Sequence, residues 1–155
     1  MELEQKVTFI TKEGYEYLIN FTEFPQNNFE YNIHIIDVSI ILMSDSIENN
    51  SIETLIVFTN IINEYLIKND VLLYYYCDTS DIKMRNNRKT KLLPQEFRSK
   101  LFSSMFNQKK LENYLLKAIK VSDLTNGDHY LSLISHEKNI DKIVIIENDI
   151  LKFNK

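Results

Sequence analysis

The sequence predicts an α+β domain built on a mixed, mostly antiparallel sheet, with elements in the order βββαβαββα. Three observations carry this. Two stretches near the start alternate apolar and polar residues around a Gly turn, a short aromatic and aliphatic run lies mid-chain between two Asp, and three segments place apolar residues three or four apart. The length of 155 residues suits one domain over 1–155. With 44% hydrophobic and 12% aromatic residues the chain can bury a core.

Residues 6–12 alternate through Val7, Phe9 and Thr11, and residues 15–24 through Tyr15, Tyr17, Ile19 and Phe21. Glu13-Gly14 joins them as a turn, so the two form a hairpin. After a loop at Pro25–Asn28, residues 31–44 form the longest β-branched run. Its apolar phase switches at Ile35-Ile36, as expected of a bulge or of a strand buried on both faces. Ser51 is placed as the N-cap of a helix over 51–68, whose core stripe is Leu55, Phe58, Ile62, Tyr65 and Leu66. Val71–Cys77 is continuously apolar and reads as a central strand.

A polar, basic loop over 79–93 leads to Pro94, which suits the first turn of a second helix. Phe97, Leu101, Phe102, Met105 and Phe106 are its buried stripe. Residues 113–122 and 129–137 flank Asn126-Gly127 and predict a second hairpin. The last segment, 140–153, has Ile140, Ile143, Val144, Ile150 and Leu151 at helical spacing, although Lys142–Ile146 could equally be a strand; a helix is favoured.

Composition excludes several functions. One Cys permits neither a disulfide framework nor a Cys-based zinc site. Only Gly14 and Gly127 are present, so neither a Walker A loop nor a dinucleotide-binding fingerprint can be built. No stretch approaches the roughly 18 apolar residues of a membrane span. The polar start MELEQKV lacks the pattern of a secretory signal, and a reducing cytoplasm is the expected location. The 21 Ile, 17 Asn and single Ala are a bias expected of an AT-rich bacterial genome more than of any function.

Charge is the informative feature. Lys83, Arg85, Arg88, Lys89, Lys91, Arg98, Lys100, Lys109 and Lys110 fall in residues 83–110, where Glu96 is the one acid. Nine cations and one acid give this window +8, so the rest carries −12 for a net −4. Lys83, Arg85, Arg88, Lys89, Lys91 and Arg98 are the candidate binding residues, directed at an acidic protein or a nucleic acid. Asp78 and Asp81 are candidates for ordering the loop, through capping bonds or pairs with Arg85 and Arg88. Set against this is a plain solvated surface that balances an acidic body.

Cys77 follows the central strand beside Asp78, where acids raise a thiol pKa; it is expected in the core. His34, His129 and His136 lie in predicted strands without metal-ligand spacing, and His129 and His136, seven apart, point to opposite faces. No catalytic set, cofactor or metal is expected. The richness in Tyr and Phe suits a homodimer interface and a core equally.

The stretches Thr11-Lys-Glu-Gly-Tyr-Glu-Tyr17, Tyr65-Leu-Ile-Lys-Asn69, Leu73-Tyr-Tyr-Tyr-Cys-Asp-Thr-Ser-Asp81 and Tyr130-Leu-Ser-Leu-Ile-Ser-His-Glu-Lys-Asn139 resemble a group of small bacterial proteins catalogued only as a domain of unknown function. In that pattern a Cys-Asp-Ser-x-Asp element precedes basic residues and an aromatic helix, to which Asp78, Asp81, Arg85, Arg88, Phe97 and Phe102 correspond loosely. The resemblance implies the fold and lends no activity. The element order is also similar to the core of Gcn5-related acyltransferases. The similarity implies a pyrophosphate loop after the third strand. Here that segment, Ser44-Asp-Ser-Ile-Glu-Asn-Asn-Ser51, has two acids and neither Gly nor a cation. The expected function is a non-enzymatic binding module. The alternatives are a divergent acyltransferase-like enzyme and an accessory or antitoxin-like protein of a bacterial defence or mobile locus.

Overall fold

A computed structural model describes residues 3–11, 14–24, 31–43, 52–77, 94–109, 111–125 and 127–152. Six strands, β1 (Gln5–Ile10), β2 (Glu16–Glu23), β3 (His34–Leu42), β4 (Val71–Tyr76), β5 (Tyr114–Val121) and β6 (His129–His136), form one sheet in the order β1-β2-β3-β4-β6-β5. The helices are α1 (Ile52–Lys68), α2 (Pro94–Lys109) and α3 (Ile140–Lys152). The fold is α+β with a mixed sheet, as the sequence pattern predicts.

The first hairpin closes where Gly14 takes φ +90, a conformation open to Gly at little cost, and its N–H donates to the Thr11 carbonyl at 3.0 Å. β2 and β3 pair without a break from Glu23↔Ile36 to Tyr17↔Leu42, so the phase switch at Ile35-Ile36 marks two-sided burial and no bulge in the ladder. β3 starts at His34, three residues later than the apolar run suggests. Asn32 takes φ 56, which ends any extended run through it.

β3 and β4 are the parallel pair, in register from His34↔Val71 to Asp37↔Tyr74, and α1 is their crossover. β6, not β5, lies against β4, with Leu73 opposite Ile134. The chain therefore passes from β4 through α2 to the sheet edge, then returns inward along β6.

Helices cover both faces. Phe58, Ile62, Tyr65 and Leu66 of α1 and Phe102 and Phe106 of α2 pack with Tyr17, Ile19, Phe21, Ile36, Val38 and Leu73. The Tyr65 ring stacks on Phe21 at 4.0 Å between centroids, and its hydroxyl donates to the Leu3 carbonyl at 2.6 Å. On the other face, Ile143 and Ile146 of α3 pack with Leu72, Ile119, Val121, Leu131 and Leu133. The final segment is the favoured helix, because positions 143, 146 and 150 meet that face on one stripe. Leu55, Phe97, Leu101 and Met105 of the expected stripes, and the Ser51 cap, lie outside the described side chains.

Leu133 on β6 is fully buried between the layers. Leu133→Ala is expected to lower the unfolding free energy by about 2–5 kcal/mol in urea titrations, the usual cost of a core cavity. Ile145→Ala on the outer side of α3, where Ile145 is half exposed, is expected to change it by less than about 0.5 kcal/mol.

Candidate functional site at the carboxyl end of the parallel strands

β3 and β4 run the same way, so their carboxyl ends open on one edge of the sheet, where ligands commonly bind in open α/β sheets. Pairing between them stops at Asp37↔Tyr74, while β3 continues to Leu42 and β4 to Tyr76. The turn between β5 and β6 reaches the same edge, since Tyr76 stands opposite Leu131 and His129 opposite Val121.

Alternation puts Tyr74, Tyr76, His129 and Leu131 on the face that α3 covers further along. The Tyr76 hydroxyl lies 2.8 Å from His129 Nδ1, and His129 Nε2 lies 3.0 Å from Asp123 Oδ2. Asp123 is fixed by its own turn. Its Oδ1 accepts from the Thr125 N–H at 2.9 Å, and its carbonyl accepts from the N–H of Gly127, which has φ +86. Sequence reasoning places Asp123 in a turn and His129 on a strand but does not join them to Tyr76. The signal that joins them is the β4–β6 pairing, which brings Tyr76 to a residue 53 positions along the chain.

Deeper on the same face sit Asp37 and Tyr74. Burial raises the Asp37 carboxyl above its usual value of 3.8. Burial, with the Asp37 charge adding, pushes the Tyr74 phenol up to about 12. Tyr65, under α1, is likewise pushed up to about 12 by burial and then by Glu23. Both phenols stay protonated at neutral pH.

The other end of β4 is structural. The Asn139 amide donates to Asp70 Oδ1 at 3.1 Å and to the Ser135 hydroxyl at 2.9 Å, and that hydroxyl donates to the Val71 carbonyl at 2.8 Å. Burial works against the Asp70 charge, but the Asn139 and Lys138 bonds outweigh it and lower the carboxyl below its usual value.

A cleft of about 390 Å³ lies between α2 and the β5–β6 hairpin, lined by Ser99, Lys100, Ser103, Lys120 and Tyr130 among others. Lys100 pairs with Glu96 at 3.8 Å, and Lys120 with Asp128 at 3.4 Å. The Tyr130 oxygen and then Asp128 raise the Lys120 pKa, so its ammonium keeps its charge.

The predicted binding residues Lys83, Arg85, Arg88, Lys89 and Lys91, and the loop-ordering Asp78 and Asp81, lie outside the described residues. So does the side chain of Arg98, whose backbone is in α2. Cys77 is fully buried, as expected of a core thiol. His34 bonds Glu23 at 2.6 Å and His136 accepts from the Lys138 N–H, so the three His stand apart. Among the described residues no group of three or more His, Cys, Asp or Glu could hold a metal, and no helix is long and apolar enough to cross a membrane. No family model, curated protein or solved structure matches this chain.

Asp37 holds its proton to higher pH when folded than when unfolded. Between 3.8 and the raised value the native state binds more protons, so stability falls as pH rises through that window. Asp37→Asn is expected to raise the melting temperature at pH 7, with the gain shrinking as pH is lowered toward 3.8. Melting curves across pH check both.

Proposed function

We propose that the protein is a binding module of the cell interior that captures an acidic partner, protein or nucleic acid, through residues 83–110. The carrying observation is the separation of charge, +8 in this window on a chain whose remainder is −12. Such a separation produces a local positive field even on an acidic protein. The position of the segment in the chain supports the reading. In sequence it comes after β4, which ends at Tyr76, and it takes in α2.

The experiment is titration of labelled poly-glutamate peptide and labelled single-stranded oligonucleotide by fluorescence anisotropy, over a range of salt. Arg85→Glu with Arg88→Glu is expected to weaken capture of the true partner class at least tenfold. If that class is nucleic acid, the log–log salt slope is expected to flatten by about 0.7 for each phosphate that the variant no longer neutralises. Capture unchanged by the double reversal leaves the segment as surface only.

A second reading, a divergent acyltransferase-like enzyme, rests on the element order of three strands, helix, strand, helix and hairpin. Opposing it, the Ser44–Ser51 segment offers two acids to a pyrophosphate. Calorimetry with acetyl-CoA separates the two readings: saturable heat supports acyl-CoA chemistry, and a flat titration counts against it.

A further inference from the structure

Tyr76, His129 and Asp123 form a phenol–imidazole–carboxylate chain that neither reading above uses. A carboxylate only accepts hydrogen bonds, so the network assigns the proton of neutral His129 to Nε2, which donates to Asp123 Oδ2 at 3.0 Å. Nδ1 then presents a lone pair, and the Tyr76 hydroxyl 2.8 Å away donates to it. The Asp123 carboxylate cannot swing away easily, since the Thr125 N–H holds its other oxygen. Each member therefore orients the next, the logic by which a weakly acidic hydroxyl is activated as a nucleophile.

The chain is poorly explained as a fastening. Tyr76 is 39% exposed, so water could satisfy its hydroxyl, and hydrogen bonds at such sites stabilise little. The structural polar network of this sheet lies at the opposite end of β4, where Asn139 and Ser135 are buried. A phenol suits the role chemically. Its reference pKa near 10 lies within reach of an imidazole near 6.5, so the base can take its proton as a bond forms.

We propose that Tyr76 is a base-activated nucleophile that accepts a small acyl group from an activated ester or thioester, giving the protein an acyl-hydrolase activity. The phenol oxygen attacks the carbonyl carbon while its proton passes to His129 Nδ1. The carbon–oxygen or carbon–sulfur bond to the leaving group breaks, and that group departs with the proton from Nδ1. The product is an aryl ester on Tyr76, itself activated because a phenol leaves readily. Water, deprotonated by Nδ1, then attacks that ester. The carboxylic acid is released and the phenol regains its proton. Asp123 is a positioning residue that fixes the tautomer throughout. The activity goes beyond partner capture and does not depend on it.

The probe is p-nitrophenyl acetate in stopped flow near pH 7.5, followed by acid quench and peptide mass spectrometry. A burst of about one p-nitrophenolate per chain, with an acetyl group on Tyr76, is expected. Tyr76→Phe keeps the ring and is expected to abolish both. In Asp123→Asn the amide oxygen can keep the Thr125 bond, which turns the amide N–H₂ toward Nε2. The His129 proton then moves to Nδ1, where it blocks acceptance from the phenol. The burst rate is expected to fall about 10²-fold while far-UV circular dichroism and the melting transition persist. Acetylation of lysines in place of Tyr76, no burst at all, or a burst that survives either substitution in folded protein overturns the proposal.

Discussion

The parallel pairing of β3 with β4 is the constraint on which the rest of the architecture depends. Parallel neighbours cannot be joined by a tight turn, so α1 must cross over between them, and its apolar stripe then covers one face. β4 is left in the interior with apolar residues on both sides: Leu73 meets the α1 layer and Leu72 meets the α3 layer. A strand so buried needs a hydrogen-bonding partner on its free edge. β6 supplies it, itself buried along six consecutive positions from Tyr130 to Ser135. β5 is thereby displaced to the margin, where Lys117 and Lys120 reach solvent.

The same pairing gives β4 two dissimilar ends. At its start, Asp70, Ser135 and Asn139 close a network in which the Asn139 amide serves two acceptors and the Ser135 hydroxyl a third. Buried donors left unpaired there would cost more than the bonds yield, so this end tolerates little change. At its finish, β3 and β4 stop pairing, and Tyr76, His129 and Asp123 meet where solvent reaches them. Rigidity at one end and accessible polar groups at the other is the arrangement expected of a scaffold that presents a site.

Much of the fold was legible because it is written in local periodicity. Tyr17, Ile19 and Phe21 alternate onto the core, and Phe58, Ile62, Tyr65 and Leu66 recur at helical spacing, so both elements can be read without knowing what they pack against. Lys142–Ile146 was ambiguous for the opposite reason. A short apolar run satisfies either period, and only Ile143, Ile146 and Ile150 meeting one sheet face decides for the helix. Strand order was not legible, since nothing local distinguishes a β6 beside β4 from a β5 beside β4. The Tyr76–His129–Asp123 chain inherits that blindness: the β5–β6 hairpin joins Asp123 to His129, but only the register Tyr76↔Leu131 brings Tyr76 to them. The charge asymmetry, by contrast, is a property of sequence and needed no fold.

Salt separates the two kinds of chemistry proposed for this protein. Lys117 with Glu147, Lys120 with Asp128 and Lys138 with Asp70 form pairs whose ammonium ends are exposed, and they neutralise one another locally and add little stability. Residues 83–110 hold one acid for nine cations, so their charge is not balanced within the segment. The field of such a segment reaches about 8 Å at physiological ionic strength and contracts as salt rises, so capture that relies on it weakens accordingly. The proposed proton transfer from Tyr76 to His129, with Asp123 holding the ring, works through bonds near 3 Å, well inside that distance, and is screened far less. Added salt therefore strips away long-range attraction and leaves that short-range transfer nearly intact. The proposed capture and the proposed acyl transfer can thus be told apart by ionic strength.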